Sequence, residues 1–220
     1  MRKIFLIIFL AACSAQTGKL KVGFDIDDTV LYSEPAFVIA QKEGKGVIDY
    51  AWINTHDRQY STPISPTIEL IKYFHANGHE VYFITARPGD KGRYLSEFLT
   101  EIVDFPVTLD KTLFFSPKEI INGFKYTTKH KIMKKLNLDL YYGDSDRDMI
   151  AAIKADVFPV RVVRYEESLL AYSSNYFGNT QDGAAEAAPF TKDDLKIFYK
   201  AGTGLFGESI YPIIWKGIRD

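Results

Sequence analysis

The sequence predicts an α/β fold: a doubly wound, mostly parallel sheet flanked by helices and carrying a small helical cap insertion. Three observations point there. Short apolar runs alternate with segments of helical period from residue 21 onward. Each run is followed at once by polar residues, the layout of buried parallel strands whose ligands gather at their carboxyl ends. The composition, 46% hydrophobic and 25% charged, is that of a folded globular chain and excludes disorder, collagen and coiled coil. A chain of 220 residues can bury about 70% of its unfolded surface in one core. The net charge of -1 provides no general field for a polyanion and no basic patch stands out, so no nucleic-acid partner is expected.

At the start, Met1, Arg2 and Lys3 precede the nine apolar residues 4–12 and then small residues, the layout of a secretory signal. The run is too short to cross a membrane, which takes about 20 apolar residues. Leu10-Ala11-Ala12-Cys13 resembles the lipobox of bacterial lipoproteins, in which the cut falls before the cysteine and that cysteine carries lipid. The alternative is ordinary cleavage after Cys13-Ser14-Ala15. The expectation is an exported protein, lipid-anchored to the membrane at Cys13 on its periplasmic or surface side, or else soluble in the periplasm or secreted. Its parts are a signal at 1–12, a tether at 13–19 and one domain over 20–220. Cys13 is the one cysteine, so neither an intrachain disulfide nor a cysteine zinc cage is available.

Residues 22–26 make the first strand. Residues 33–64 hold Phe37, Trp52, Tyr60 and several charges without a clear strand; the segment is long for a crossover and is expected to be the helical cap. Ser65-Pro66 opens a helix with Ile68, Ile71 and Phe74 at helical spacing and Gly78 as its stop. Strands follow at 80–85, 112–115, 138–142 and 158–163, with helices at 93–102, 127–136 and 146–155. Beyond 165, residues 173–189 are rich in Ser, Asn, Gly and Ala and read as a loop, with a helix at 191–201 and a last strand at 208–215.

Four polar clusters stand after these strands. In Asp25-Ile26-Asp27-Asp28-Thr29, Asp25 and Asp27 point to one side of an extended chain, and two carboxylates there repel unless a cation or a proton is shared. Asp144-Ser145-Asp146-Arg147-Asp148 adds only oxygen donors, which suit Mg²⁺. An EF-hand is excluded by position, because Met149 and Ala155 stand where it needs Gly and Glu, and Val30 where the first cluster needs Gly. Helix capping accounts for any one of these aspartates but not easily for both clusters. Thr85-Ala86-Arg87 brings a hydroxyl, backbone N–H groups and a guanidinium that matches phosphate oxygens. Lys129 and Lys131 are both candidates for an ammonium that neutralises phosphate and crowded carboxylates, with a solvated surface lysine as the competing reading of each.

Phe24-Asp25-Ile26-Asp27-Asp28-Thr29-Val30, Ile84-Thr85-Ala86-Arg87, Lys129 and Gly143-Asp144-Ser145-Asp146-Arg147-Asp148 resemble, in order, the four motifs of the haloacid dehalogenase (HAD) superfamily of phosphohydrolases. Residues 22–33 with Tyr142-Gly143-Asp144-Ser145-Asp146 resemble its bacterial class B acid phosphatases, over about residues 21–165. The resemblance implies a Rossmann-like, HAD-like sheet and hydrolysis of phosphomonoesters, nucleotides among them. It implies Asp25 as nucleophile and Asp27 as acid–base. It also implies Mg²⁺ held by Asp25, the Asp27 carbonyl, Asp144 and Asp148. Phosphate falls to Thr85, Ala86, Arg87 and Lys129, with Lys129 preferred over Lys131 because Thr128-Lys129 and its distance from Gly143 match the family. It further implies Phe37 and Trp52 in a leaving-group pocket, and a homotetramer. The tail departs from the pattern, since 173–189 is longer than expected. A phosphotransferase and a non-catalytic ligand-binding lipoprotein are the alternative functions.

Overall fold

The computed structural model describes residues 18–121, 124–162 and 209–210. Six strands form one sheet in the order β10-β9-β8-β1-β4-β5, and every pairing in it is parallel. They are β1 (Lys21–Phe24), β4 (Glu80–Thr85), β5 (Leu113–Phe115), β8 (Leu140–Gly143), β9 (Phe158–Val162) and β10 (Ser209–Ile210). The chain runs outward from β1 through β4 to β5, then returns to the other side of β1 and runs outward again through β8 and β9. The order therefore reverses beside β1, and the carboxyl ends of β1, β4 and β8 frame the crevice where doubly wound sheets hold their ligands.

Each face of the sheet is covered by helices because its residues are apolar on both sides. On one face, Val22, Phe24, Phe83 and Tyr142 pack on Ile68, Ile71 and Phe74 of α3 (Ser65–Ala76) and on Leu95, Phe98 and Leu99 of α4 (Gly92–Val103). Phe24 and Tyr142 stack with ring centroids 4.7 Å apart. On the other face, Ile84 and Tyr141 pack on Met133 of α5 (Lys129–Leu136) and on Ala151 and Ala152 of α6 (Asp146–Lys154). Gly23 points to that second face, where a Cβ would lie 2.6 Å from Leu138 Cδ1 and 2.7 Å from Tyr141 Cδ2. A side chain there would part β1 from its neighbours.

The segment 33–64 contains two helices, α1 (Glu34–Glu43) and α2 (Tyr50–Tyr60), drawn together at its base by the antiparallel pair β2 (Leu31–Tyr32) and β3 (Thr62–Pro63). Asp49 starts α2 by accepting the Trp52 N–H at 3.0 Å, and Ala36, Ala40 and Ile53 form a small core between the helices. A second antiparallel pair, β6 (Glu119–Ile121) with β7 (Phe124–Tyr126), was not expected from the sequence. Its strands are three residues each, too short to carry a period. The first strand ends one residue before Asp25, and the helix expected from residue 127 begins at Lys129. The proposed signal, Cys13 and the tether up to residue 17, and the loop and helix expected at 173–201, lie outside the described residues; of the last expected strand, Ser209–Ile210 are described and pair with β9. Among the described residues no helix is long and apolar enough to cross a membrane.

Candidate active site

The first cluster owes its shape to a turn that begins where β1 stops. The Asp25 N–H still donates to Tyr142 O at 2.8 Å, but the N–H groups of Val30 and Leu31 both turn back to Ile26 O. Asp28 takes a left-handed conformation, φ 56°, which an aspartate tolerates better than most side chains. The turn brings Asp25 and Asp27 to one cavity of about 260 Å³ at the end of the sheet.

Three carboxylates meet there. Asp25, Asp144 and Asp148 each place an oxygen within 4.8 Å of the others, and all three are buried. Lys129, at the first position of α5, stands between two of them, with Nζ 2.6 Å from Asp25 Oδ1 and 2.6 Å from Asp148 Oδ1. Lys131 is on the surface, paired with Glu119. Asp148 has two tasks. Its Oδ2 accepts from the Ser145 N–H and hydroxyl while Ser145 caps α6 in return, and its Oδ1 takes the lysine. The capping reading is thus correct for one oxygen of Asp148, and Ser145 is the N-cap. The Asp144 carbonyl is held by the buried Arg161 at 2.6 Å.

The electrostatics follow from these neighbours. Burial, then the Asp148 charge, push the Asp25 carboxyl well above the ordinary carboxylate range, with Lys129 opposing. Burial also opposes ionisation of Asp148, but Lys129 and the Ser145 hydrogen bonds outweigh it and hold that carboxyl below its ordinary value. For Lys129, burial works against the ammonium, and Asp148 and Asp25 more than compensate, so it stays charged.

Asp27 has a separate set of partners. Ser33 donates to Oδ1 at 2.6 Å, and Arg87 donates from Nη2 at 2.5 Å and from Nε to both carboxylate oxygens at 3.0 and 3.2 Å. Burial again opposes ionisation, yet Arg87 and Ser33 together lower the Asp27 carboxyl below its usual range. Arg87 was expected to grip phosphate. It lies at the cavity wall with its guanidinium engaged on Asp27, Asn54 and Asp57, because residues 54 and 57 of α2 face the end of β4. Thr85 is fully buried and outside the cavity wall, its hydroxyl accepting the Arg87 N–H at 3.2 Å. Ala86, Arg87 and Lys129 line the cavity.

The apolar wall is Phe37, Ile48 and Tyr50, with Phe37 also 5.5 Å from the Arg87 guanidinium. Trp52, expected beside Phe37, is not part of that wall. It stacks on His56 and Tyr60, centroids 4.1 and 5.5 Å away. Residues 52, 56 and 60 share one face of α2, while 50, 54 and 57 share the opposite face, which meets the site. Ile48, Tyr50, Asn54, Asp57 and Ser33 were missed in the sequence; the signal that could have found the α2 members is the 50-54-57 spacing.

A family model described as HAD superfamily, subfamily IIIB (Acid phosphatase) matches residues 4–176. The chain is 34% identical over 161 residues to a class B acid phosphatase of Haemophilus parainfluenzae (strain T3T1), across 68% of this chain and 65% of that protein. It is 33% identical over 158 residues to a class B acid phosphatase of Marinomonas sp. (strain MWYL1), across 67% and 63%. The chain thus spans just under two thirds of these relatives. Among solved structures, a phospho-aspartyl intermediate analogue of phosphoserine phosphatase aligns at a TM-score of 0.45 and 14% identity, covering 70% of this chain and 98% of that one. With the six parallel strands, the carboxylate cluster at the end of β1 and the family match over most of its length, the chain belongs to the subfamily IIIB acid phosphatases of the HAD superfamily.

Proposed function

We propose that this protein is an acid phosphatase that hydrolyses phosphomonoesters through an aspartyl-phosphate on Asp25. The observation that carries the reading is the gathering of Asp25, Asp144, Asp148 and Lys129 against one cavity that Asp27 also lines. The donor set fits a hard divalent cation such as Mg²⁺: three buried carboxylates, oxygen donors throughout, and a single ammonium beside them. Asp25, Asp144 and Asp148 would hold it, with the Asp27 carbonyl in support. Bound there, such a cation would supply the charge that lets an anionic nucleophile meet an anionic phosphate.

The rest falls to the protein. An Asp25 oxygen attacks phosphorus as the ester P–O bond breaks, and the leaving oxygen takes a proton from the Asp27 carboxyl. Water then attacks the aspartyl-phosphate, its proton passes to Asp27, and Asp25 is released with inorganic phosphate. Lys129 and the backbone N–H groups beside Ala86 would stabilise charge on the phosphoryl oxygens. Asp27 is held below its usual range, so the protonated form that a poor leaving group needs is a minor one, and it grows as pH falls. Phe37, Ile48 and Tyr50 would pack on the leaving group, and their flat apolar surfaces suit a nucleoside or phenyl group. Export and lipid attachment at Cys13 are part of the same proposal, supported by the basic start, the apolar run and the cysteine that follows it. A homotetramer rests on the family resemblance.

The experiment is phosphate release from p-nitrophenyl phosphate and AMP by residues 20–220, with Mg²⁺ and with EDTA, beside Asp25→Asn. Release that requires both metal and Asp25 is expected. Metal-independent release, or full activity of Asp25→Asn, would overturn the mechanism.

A further inference from the structure

The guanidinium of Arg87 has five N–H hydrogens, and each has an acceptor within the protein. Nε serves Asp27 Oδ1 and Oδ2 at 3.2 and 3.0 Å, and Nη2 serves Asp27 Oδ1 at 2.5 Å and Asp57 Oδ1 at 3.2 Å. Nη1 serves Asp57 Oδ2 at 2.5 Å and Asn54 Oδ1 at 3.1 Å. The two carboxylates grip the fork from opposite sides, and Arg87, Asp57 and Asn54 are each 1% exposed. Asp57 is held in turn by the Ser61 hydroxyl at 2.6 Å. Asn54 also donates to the carbonyls of Pro88 and Asp90 at 3.2 and 2.8 Å, tying α2 to the chain that follows Arg87. Phe37 of α1 lies 5.5 Å from the guanidinium, a further contact from the same insertion.

We propose that Asp57, with Asn54 beside it, is a positioning residue for the acid–base carboxylate Asp27, acting through Arg87. The inference rests on the phosphatase reading above and adds a task for the helical insertion. One anchored guanidinium has two consequences. It has no N–H left to follow a phosphate oxygen, and its fixed edge holds the Asp27 carboxylate in one orientation toward the leaving oxygen. Without Asp57 the guanidinium loses its second carboxylate, and only the neutral Asn54 Oδ1 is left on the α2 side against the pull of Asp27. The orientation of Asp27 is then free to change, and the step that suffers is protonation of the leaving group.

That step separates positioning from bulk structure. p-Nitrophenolate leaves without a proton, while an alkoxide does not. The test compares kcat/KM on p-nitrophenyl phosphate and on glycerol 2-phosphate, with Mg²⁺, for the wild-type chain, Asp57→Ala and Asp57→Asn. This ratio reports the steps up to phosphoryl transfer, where the acid acts. For Asp57→Ala the expected loss is about 10-fold or more on glycerol 2-phosphate and under about 3-fold on p-nitrophenyl phosphate, since general acid catalysis contributes about 10²–10⁴-fold when complete. Asp57→Asn keeps the shape and one acceptor for Nη1, and should lie between wild type and Ala with the same bias between substrates. Equal losses on both substrates, no loss on either, or failure of both variants to fold would assign Asp57 a purely structural part and overturn the inference. A wild-type chain inactive on both substrates would instead overturn the phosphatase reading, and the inference with it.

Discussion

Replacing Lys129 by methionine should destabilise the protein by about 3–5 kcal/mol at pH 7, the cost of removing one partner from a buried ion pair. Nζ lies 2.6 Å from both Asp25 and Asp148, and the side chains of the three are between 3% and 7% exposed. Methionine fills nearly the same volume, so the loss is electrostatic: two buried carboxylates then face each other without the ammonium between them. Protonation of one carboxylate is the escape open to the variant, since burial and the Asp148 charge already raise Asp25. The deficit should therefore shrink as pH falls toward 4.5 and shrink again when Mg²⁺ is added. Lys131→Met is the control, because its partner Glu119 is also 2.6 Å away but the two side chains are 58% and 50% exposed. An exposed pair of that kind contributes about 0–1 kcal/mol. Urea unfolding followed by tryptophan fluorescence, extrapolated to water, resolves this difference. A Lys129→Met loss below about 1 kcal/mol, or one equal to that of Lys131→Met, would refute the claim that this lysine offsets the charge of the two carboxylates.

Other perturbations test neighbouring parts of the argument. Gly143→Ala would bring a Cβ to 2.5 Å from Asp148 Cβ and 2.9 Å from its Cγ. It should cost about 1–3 kcal/mol of stability as overpacking does and weaken the Mg²⁺-induced rise in Tm; wild-type behaviour in both would show that Asp148 has room to move. The pH dependence of stability in EDTA should have two limbs. Asp25, raised in the folded state, contributes stability that is present at low pH and lost as pH rises, so stability should increase on going from neutral toward pH 3.8. Asp27 and Asp148, held below 3.8, contribute stability present above that pH and lost as pH falls through their folded values, so the curve should then turn down. Asp25→Asn should remove the first limb and leave the second; a first limb that survived would mean that another group causes it.

How much of the molecule is visible in its residues depends on the range of the forces that hold each part. The strands 80–85 and 158–162 and the helix from Ser65 were legible because period, capping and apolar runs act within a few residues. The pair β6–β7 was not, since three-residue strands have no period and gain their stability only from pairing with each other. The metal-type cluster was legible in outline because motifs following parallel strands are brought together by the sheet itself.

The sequence by itself determined the α/β class, the strands whose carboxyl ends carry Asp25 and Asp144, and the candidate aspartates, with two lysines that only the family resemblance ranked. Tertiary structure alone decided how those charges are shared. Lys129 and Lys131 are two residues apart in sequence, and only the packing of α5 on the sheet buries one between Asp25 and Asp148 and leaves the other in water. Arg87 is singled out by its motif, and only the approach of α2 makes it the link between Asp27 and Asp57. Trp52 looks as suitable for a pocket wall as Phe37, and only the rotation of its helix carries it to the far side. The reason is common to all three: residue type sets which interactions a side chain can make, whereas its partners and its burial depend on contacts with segments distant in the chain.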